Sequence, residues 1–312
     1  MDNLVAIDIG GTQLRVAVYP KDGKTPIIVQ RSETRGLEDG VFERLIALID
    51  TIWLKGSVNA ISVAAPGPVN PHTGIIISTP NIPAWKNYPL AELLSNKYNV
   101  PVYLGNDANL AALGEWKYGA GMGHHDVLYL TLSTGIGGGV ISGDVLIEGT
   151  NGTAGELGHV TVDPGGPVCS CGMRGHLEAV ASGPAIARYV REQIANGQKS
   201  ILTTTSNFSA REIAGAANGG DKLAREAFIQ AGGFIGQAVA DFLHIFNPSI
   251  VIFGGGVSNS GRLIMDPIMD SMKRNIMNIS YMEDLKIATV KLGDEVGLLG
   301  ALAQAHIRLS RD

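Results

Sequence analysis

Short apolar runs that end in glycine alternate along the chain with longer stretches whose apolar residues recur at helical spacing, which reads as an α/β protein. Residues 4–9 form a buried strand that ends at Asp8-Ile9-Gly10-Gly11-Thr12, and residues 14–19 alternate as a second strand. The arrangement recurs at residues 127–132, which run through Ser133-Thr134-Gly135-Ile136-Gly137-Gly138-Gly139 into a strand at Val140-Ile141. Two such units suggest an internal duplication, with two related α/β domains each offering one loop to a shared cleft.

Between the copies, helical periodicity spans residues 41–53, and apolar strands occupy 60–64 and 102–104. The second of these ends at Gly105-Asn106-Asp107, before a helix over 108–118. Downstream, helices are predicted over 179–195, 210–216, 222–246 and 263–278, with a strand at 250–253 entering Gly254-Gly255-Gly256. Met265, Met269, Met272 and Met277 are spaced for a helix face packed in the core. The last helix, 297–308, is apolar on one face and is expected to return onto the first domain. With 312 residues, a chain is at the size where one core stops growing. The expected division is 1–105 plus 298–312 as a smaller domain, and 106–297 as a larger one.

A 45% apolar and 17% charged composition with 41 glycines describes a compact fold rich in tight turns. The net charge of −5, with Lys and Arg scattered, argues against a nucleic-acid partner. No apolar run reaches about 18 residues, and no signal-like segment precedes the first strand, so no membrane partner and a cytoplasmic location are expected.

Phosphates are bound by clustered backbone N–H groups, which glycines allow a chain to present together. Gly10, Gly11 and Thr12 fit that pattern, as do Thr134 and Gly135 in the second turn, while Gly255 can let the chain approach a flat base. Neither a Walker sequence nor a strand-borne Gly-x-Gly-x-x-Gly with its ribose acid is present. Asp8 has the wrong sign for phosphate but can hold Mg²⁺ or its water shell, its alternative being a turn cap. Asp107 is the candidate base for phosphoryl transfer to an alcohol, unless it only caps its helix, a task Asn106 can also perform. Asn81, Asn106, Glu156, His159 and Glu178 supply amides, carboxylates and imidazole suited to ring hydroxyls.

His159, Cys169, Cys171 and His176 fall within eighteen residues and include both cysteines of the chain. A Cys-x-Cys pair closes a strained disulfide ring but chelates a metal readily, and two imidazoles complete the tetrahedral N/S set zinc prefers. The expectation is structural Zn²⁺, since no open coordination position is evident. The alternatives are idle reduced thiols, and a His176 turned to solvent. His72, His124, His125, His244 and His306 join no constellation and read as structural or surface residues.

Taken together, Asp8-Ile-Gly-Gly-Thr12, Ala65-Pro-Gly-Pro-Val69, Thr79-Pro80-Asn81-Ile82 with Trp85, Gly105-Asn-Asp-Ala-Asn109, Leu132-Ser-Thr-Gly-Ile-Gly-Gly-Gly139, Gly155-Glu-Leu-Gly-His159, Cys169-Ser-Cys-Gly172 and Gly254-Gly-Gly256 resemble one family. It is the repressor, open-reading-frame and kinase (ROK) group, within the actin, hexokinase and heat-shock-chaperone ATPase superfamily. The resemblance implies two ribonuclease-H-like, actin-type ATPase domains with the nucleotide and sugar between them. It also implies ATP-dependent phosphorylation of a hexose at its primary hydroxyl, glucose first, with fructose, mannose, allose or an N-acetylhexosamine as alternatives and polyphosphate as an alternative donor. Asp107 matches the family's base, and Asn106, Glu156, His159 and Glu178 match sugar contacts. His159 also matches a zinc ligand. The family commonly has a third cysteine where this chain has His176. Regulators of the family carry a helix-turn-helix ahead of the first Gly-rich strand, which here begins at Leu4, so an enzyme is expected, with a non-catalytic sugar-responsive regulator as the rival. A homodimer or higher homo-oligomer is a family-level expectation.

Overall fold

The computed structural model describes residues 2–34, 40–79, 81–203 and 207–310. Pro80 of the Thr79–Ile82 motif therefore lies outside the described residues, as do parts of the expected domains at Met1, 35–39, 204–206 and 311–312. The first sheet is built from β1 (Asn3–Ile9), β2 (Gln13–Pro20), β3 (Ile28–Glu33), β4 (Val58–Ala65) and, after a small hairpin of β5 (Val69–Asn70) and β6 (Ile75–Ile76), β7 (Val102–Asn106). The second contains β8 (Val127–Leu132), β9 (Ile136–Ser142), β10 (Val145–Leu146), β11 (Ile250–Gly254) and β12 (Lys286–Thr289).

The strand orders, β3-β2-β1-β4-β7 and β10-β9-β8-β11-β12, are the same topology written twice. In each sheet an antiparallel meander of three strands is extended by two parallel ones. The duplication expected from the two Gly-rich turns is thus present, and the architecture is that of an actin-like ATPase fold.

Two helices fill the space between the sheets. Both α3 (Asp107–Tyr118) and α10 (Val296–Leu309) are buried almost all round, α3 without interruption from Ala108 to Glu115 and α10 from Gly297 to Ala305. The expectation of a single apolar face on the last helix is corrected here: α10 packs on β1 and β4 on one side and on α3 on the other. The facing positions are small. Ala6, Ala17, Ala60 and Ala64 of the first sheet, Ala111 and Ala112 of α3, and Ala301, Ala303 and Ala305 of α10 share one core. At the crossing, a Cβ built on Gly300 would lie 2.0 Å from the Leu110 carbonyl oxygen, and one on Gly114 2.9 Å from the Gly300 nitrogen.

The outer face of the first sheet is covered by α1 (Val41–Asp50) and α2 (Leu90–Tyr98), whose buried residues recur every four positions as Val41, Leu45, Ile49 and Leu90, Leu94, Tyr98. On the outer face of the second sheet lie α4 (Leu177–Ala181), α5 (Gly183–Ala195), α6 (Ala210–Asn218), α7 (Lys222–Phe246) and α8 (Arg262–Asn275), with the short α9 (Ser280–Glu283) beyond them.

The helix expected over 179–195 is broken. Ser182 is extended and accepts from Ala185 N–H as an N-cap, and Pro184 has no N–H to continue a helical ladder from α4. Met277 departs from the expected core row because α8 ends at Asn275, leaving it 76% exposed while Met272 is fully buried.

Gly300→Ala should destabilise the protein by about 3 kcal/mol or more through overpacking against a backbone that cannot retreat. Gly215→Ala, on an exposed helical position of α6 with open space around it, should gain roughly 0.5–1 kcal/mol. Urea unfolding followed by circular dichroism measures both, and a Gly300→Ala variant as stable as the parent would contradict the close crossing.

Candidate active site

The two Gly-rich turns and the N-terminus of α3 lie at the same end of the sandwich. Asn106 is the N-cap of α3: its side-chain oxygen accepts from Ala108 N–H at 2.9 Å and Asn109 N–H at 3.0 Å. Its amide group donates to the Gly67 carbonyl at 3.0 Å, fixing the Ala65–Val69 turn. Gly67 has φ of +83° and no room for a side chain, since a Cβ there would lie 2.3 Å from the Ser78 oxygen. Asn106 therefore does the capping that either residue might have done, and the Asp107 carboxyl accepts locally from Ala108 N–H at 2.8 Å and from its own N–H.

Burial pushes the Asp107 carboxyl up to about 7, against the Ala108 N–H and with the help of the negative charges of Asp8 and Glu156. Asp107 as a whole residue is half-buried at the start of α3.

Asp8 is buried at the end of β1 and paired with Arg15, which sits directly opposite it in the β1–β2 register. Burial raises the Asp8 carboxyl above its ordinary value, and Arg15 opposes the rise. Arg15 also donates to the Asp294 carbonyl, just ahead of α10. Gly297, in the first turn of α10, is packed so closely that a Cβ would meet the Asp8 carboxylate at 2.5 Å.

In the first turn, Gly10 N–H is spent on the Gln13 carbonyl at 2.9 Å, which leaves half-buried Gly11 and exposed Thr12 as the part able to face a ligand. Thr34 ties this turn from β3's end, its hydroxyl donating to the Gly10 carbonyl and its N–H to the Thr12 carbonyl. Gly11 abuts Asn81, whose amide nitrogen would lie 2.7 Å from an added Cβ.

The second turn stands on α3 and on the segment that carries the His159–His176 donors. Gly137 and Gly139 leave room for Ala108 and Ala112 of α3. Thr134 is exposed at the tip. Ser133 accepts from Gly183 N–H at 2.8 Å, so the break between α4 and α5 supplies a donor to this loop. The Glu178 carboxylate lies against Gly135 and accepts from Ile136 N–H at 3.1 Å. Gly255, with φ of +85°, fits closely over the Leu132 backbone, where a Cβ would be 2.3 Å from the carbonyl oxygen. Protein packing alone thus requires glycine at 255, whereas Gly256 has open space beside it.

Glu156 is exposed on the loop held by Asn109, a buried residue that donates to the Ala154 carbonyl at 3.1 Å. Burial of its carboxyl raises Glu156 above its ordinary value; His159 pulls it back and Glu178 adds to the rise. One ligand atom from each of His159, Cys169, Cys171 and His176 lies within 4.8 Å of the others. Cys169 Sγ is 3.6 Å from His159 Nδ1, and Cys171 Sγ is 3.2 Å from His176 Nδ1. A tetrahedral zinc site spaces its ligands by roughly 3.3–3.8 Å, so this donor set fits. His176 is buried and faces the cluster, which removes the solvent-facing alternative. His159 Nε2 points the other way, 3.8 Å from Glu156.

Arg15, Thr34, Asn109, Gly297 and Ser170 were not assigned roles from the sequence. Arg15 had a readable signal, because a tight β1–β2 turn pairs residue 8 with residue 15; the other contacts need the tertiary fold. The five histidines outside the site are structural or exposed, with His124 on Ser249, His125 on Asp144, His306 on Tyr118 and His244 on the Met277 N–H.

A family model for the ROK family matches residues 4–308. The glucokinase of Thermotoga maritima is 38% identical over 307 residues, covering 96% of this chain and 95% of its own length. The ROK hexokinase of Thermus thermophilus superposes with a TM-score of 0.83 at 33% identity, over 99% of this chain and 100% of that one. A ROK family glucokinase from Streptomyces griseus, solved in complex with glucose and AMPPNP, gives a TM-score of 0.79 at 33% identity, over 97% of this chain and 98% of that one.

Asn106→Ala should cost about 1–2 kcal/mol of stability. Asp107→Asn should cost none near pH 8: its folded value of about 7 is above the unfolded one, so whatever the neutral acid contributes is lost as pH rises through about 7. Thermal melts of both variants check this division, and a marked loss of stability in Asp107→Asn would make that carboxylate structural.

Proposed function

The chain belongs to the ROK family, and we propose that it is an ATP-dependent sugar kinase that transfers the γ-phosphoryl group to the 6-hydroxyl of glucose. The observation that supports this is Asp107: a carboxyl at a helix start, relieved of capping by Asn106 and raised toward neutrality by burial, with the charges of Asp8 and Glu156 adding to the rise. Phosphoryl transfer asks little covalent chemistry of a protein beyond positioning, charge stabilisation and a proton acceptor.

Asp107 takes the proton of the sugar hydroxyl as that oxygen forms its bond to the γ-phosphorus, while the bond to the bridging oxygen breaks and ADP departs. The value of about 7 suits a base working near neutral pH. Gly11, Thr12, Thr134 and Gly135 receive the phosphates, and Gly255 with Gly256 lies on the base side. Asp8 is the residue that would hold Mg²⁺, exchanging part of its pairing with Arg15 for the ion or its waters; Mg²⁺ neutralises charge on the phosphates when bound.

Asn81, Asn106, Glu156, His159 and Glu178 would form the polar wall for the sugar ring. Asn106 contributes chiefly by what it holds, since its oxygen and amide are engaged with protein. His159, Cys169, Cys171 and His176 would hold one zinc ion, which supplies structural cross-linking of the loop and no chemistry on the substrate. His159 then offers its outer nitrogen to the sugar side.

Asp107→Asn should lower kcat at least about a hundredfold while glucose binding stays within roughly threefold of the parent; a coupled ADP assay and calorimetry measure the two, and near-full turnover would sink the assignment. Purified protein should contain one zinc per chain by metal analysis. Removing it with a chelator, or by Cys171→Ser, should lower the melting temperature and weaken glucose binding together; metal-free protein that binds glucose as before would show the cluster to be irrelevant to the site. A panel of hexoses crossed with ATP and polyphosphate should rank glucose with ATP first.

A further inference from the structure

Glu178 is held from two sides. One carboxylate oxygen accepts from the Ile136 N–H of the second Gly-rich turn at 3.1 Å, and the other accepts from the Ser170 hydroxyl at 2.7 Å, with Cys169 Sγ at 3.6 Å. Ser170 stands between the two cysteines of the metal loop and is itself exposed. Cys169 ligating a metal does so as a thiolate and has no proton to donate, so the hydroxyl is the donor that remains on that oxygen. An O–H bond to a carboxylate at this length is of the stronger, charge-assisted kind.

A glutamate on a short helix has several rotamers, and each one removed before a ligand arrives is entropy the ligand does not have to spend. The Gly135 turn is shaped to receive this one: a Cβ at 135 would lie 2.6 Å from the same carboxylate oxygen that takes the Ile136 N–H. Two loops of separate origin thus converge on one carboxylate, one from the metal site and one from the turn assigned to the nucleotide.

We propose that Ser170 is a positioning residue, whose hydroxyl fixes Glu178 between the metal loop and the Gly135–Ile136 turn so that its remaining lone pairs face the sugar. Ser170 is not one of the four candidate metal donors, and its hydroxyl also lies 3.8 Å from Cys169 Sγ. Through Glu178 it also couples the order of the nucleotide turn to that of the metal loop. The sugar part of this rests on the reading of Glu178 as a sugar contact; the coupling part does not.

The test uses full-length, zinc-loaded protein with Ser170→Ala and Ser170→Thr. Ser170→Ala should keep one zinc per chain, raise the glucose KM about tenfold with kcat little changed, and speed amide exchange over residues 133–137 in the absence of any sugar. Ser170→Thr, which keeps the hydroxyl, should restore both readouts. Unchanged exchange over 133–137 in Ser170→Ala overturns the proposal, as does a change that appears only when zinc is lost or that Thr fails to rescue. If the parent protein binds no glucose, the functional reading fails by itself, and the exchange comparison still decides whether Ser170 holds Glu178.

Discussion

The side chain of Asn106 is the joint on which the site depends. With one oxygen it closes the first turn of α3, and with its amide it anchors the Gly67 turn of the first sheet. A cap supplied by Asp107 would have tied that carboxylate to the backbone and lowered it, leaving no base. Because Asn106 takes the task, Asp107 can sit at the same helix start and still titrate near neutrality. Two residues of similar shape are thus separated by one atom's chemistry into a structural role and a proposed catalytic one.

The same helix carries the rest of the frame. Asn109 holds the Ala154 carbonyl and so the loop bearing Glu156. Two turns further, Glu115 is fully buried and accepts from the N–H groups of Ala120, Lys291 and Leu292, which fixes the approach to α10. Its N-terminal turn in turn packs on Asp8 through Gly297. Position along α3 therefore sets the relation between both Gly-rich turns, the loop of Glu156 and the buried carboxylate of the first sheet. Small residues at the α3–α10 crossing hold that relation tightly.

Much of this was legible in the sequence because it is written in local chemistry. Gly10-Gly11-Thr12 and the glycines of 133–139 revealed the duplication, and the His-Cys-Cys-His run marked four donors that the fold brings together. What stayed hidden has physical reasons. Strand β3 is an edge with a largely exposed pattern, and β12 is another, so neither shows an apolar stripe. Helix α2 is short and only weakly amphipathic in sequence, although Leu90, Leu94 and Tyr98 anchor it. The break at Ser182 was signalled by Pro184, which outweighs the apolar periodicity on either side. Thr34, Ser170 and Gly297 act across gaps in sequence that only the folded chain closes.

The central claim, that Asp107 is a base raised by burial and by its acidic neighbours, is tested most directly by the pH dependence of kcat/KM for glucose in the unmodified protein. The account predicts an acidic limb with its midpoint near 7, activity falling as pH drops because the carboxyl gains the proton it must be free to accept. A profile that stays flat down to about pH 5, where an ordinary surface carboxylate would still be ionised, would contradict it.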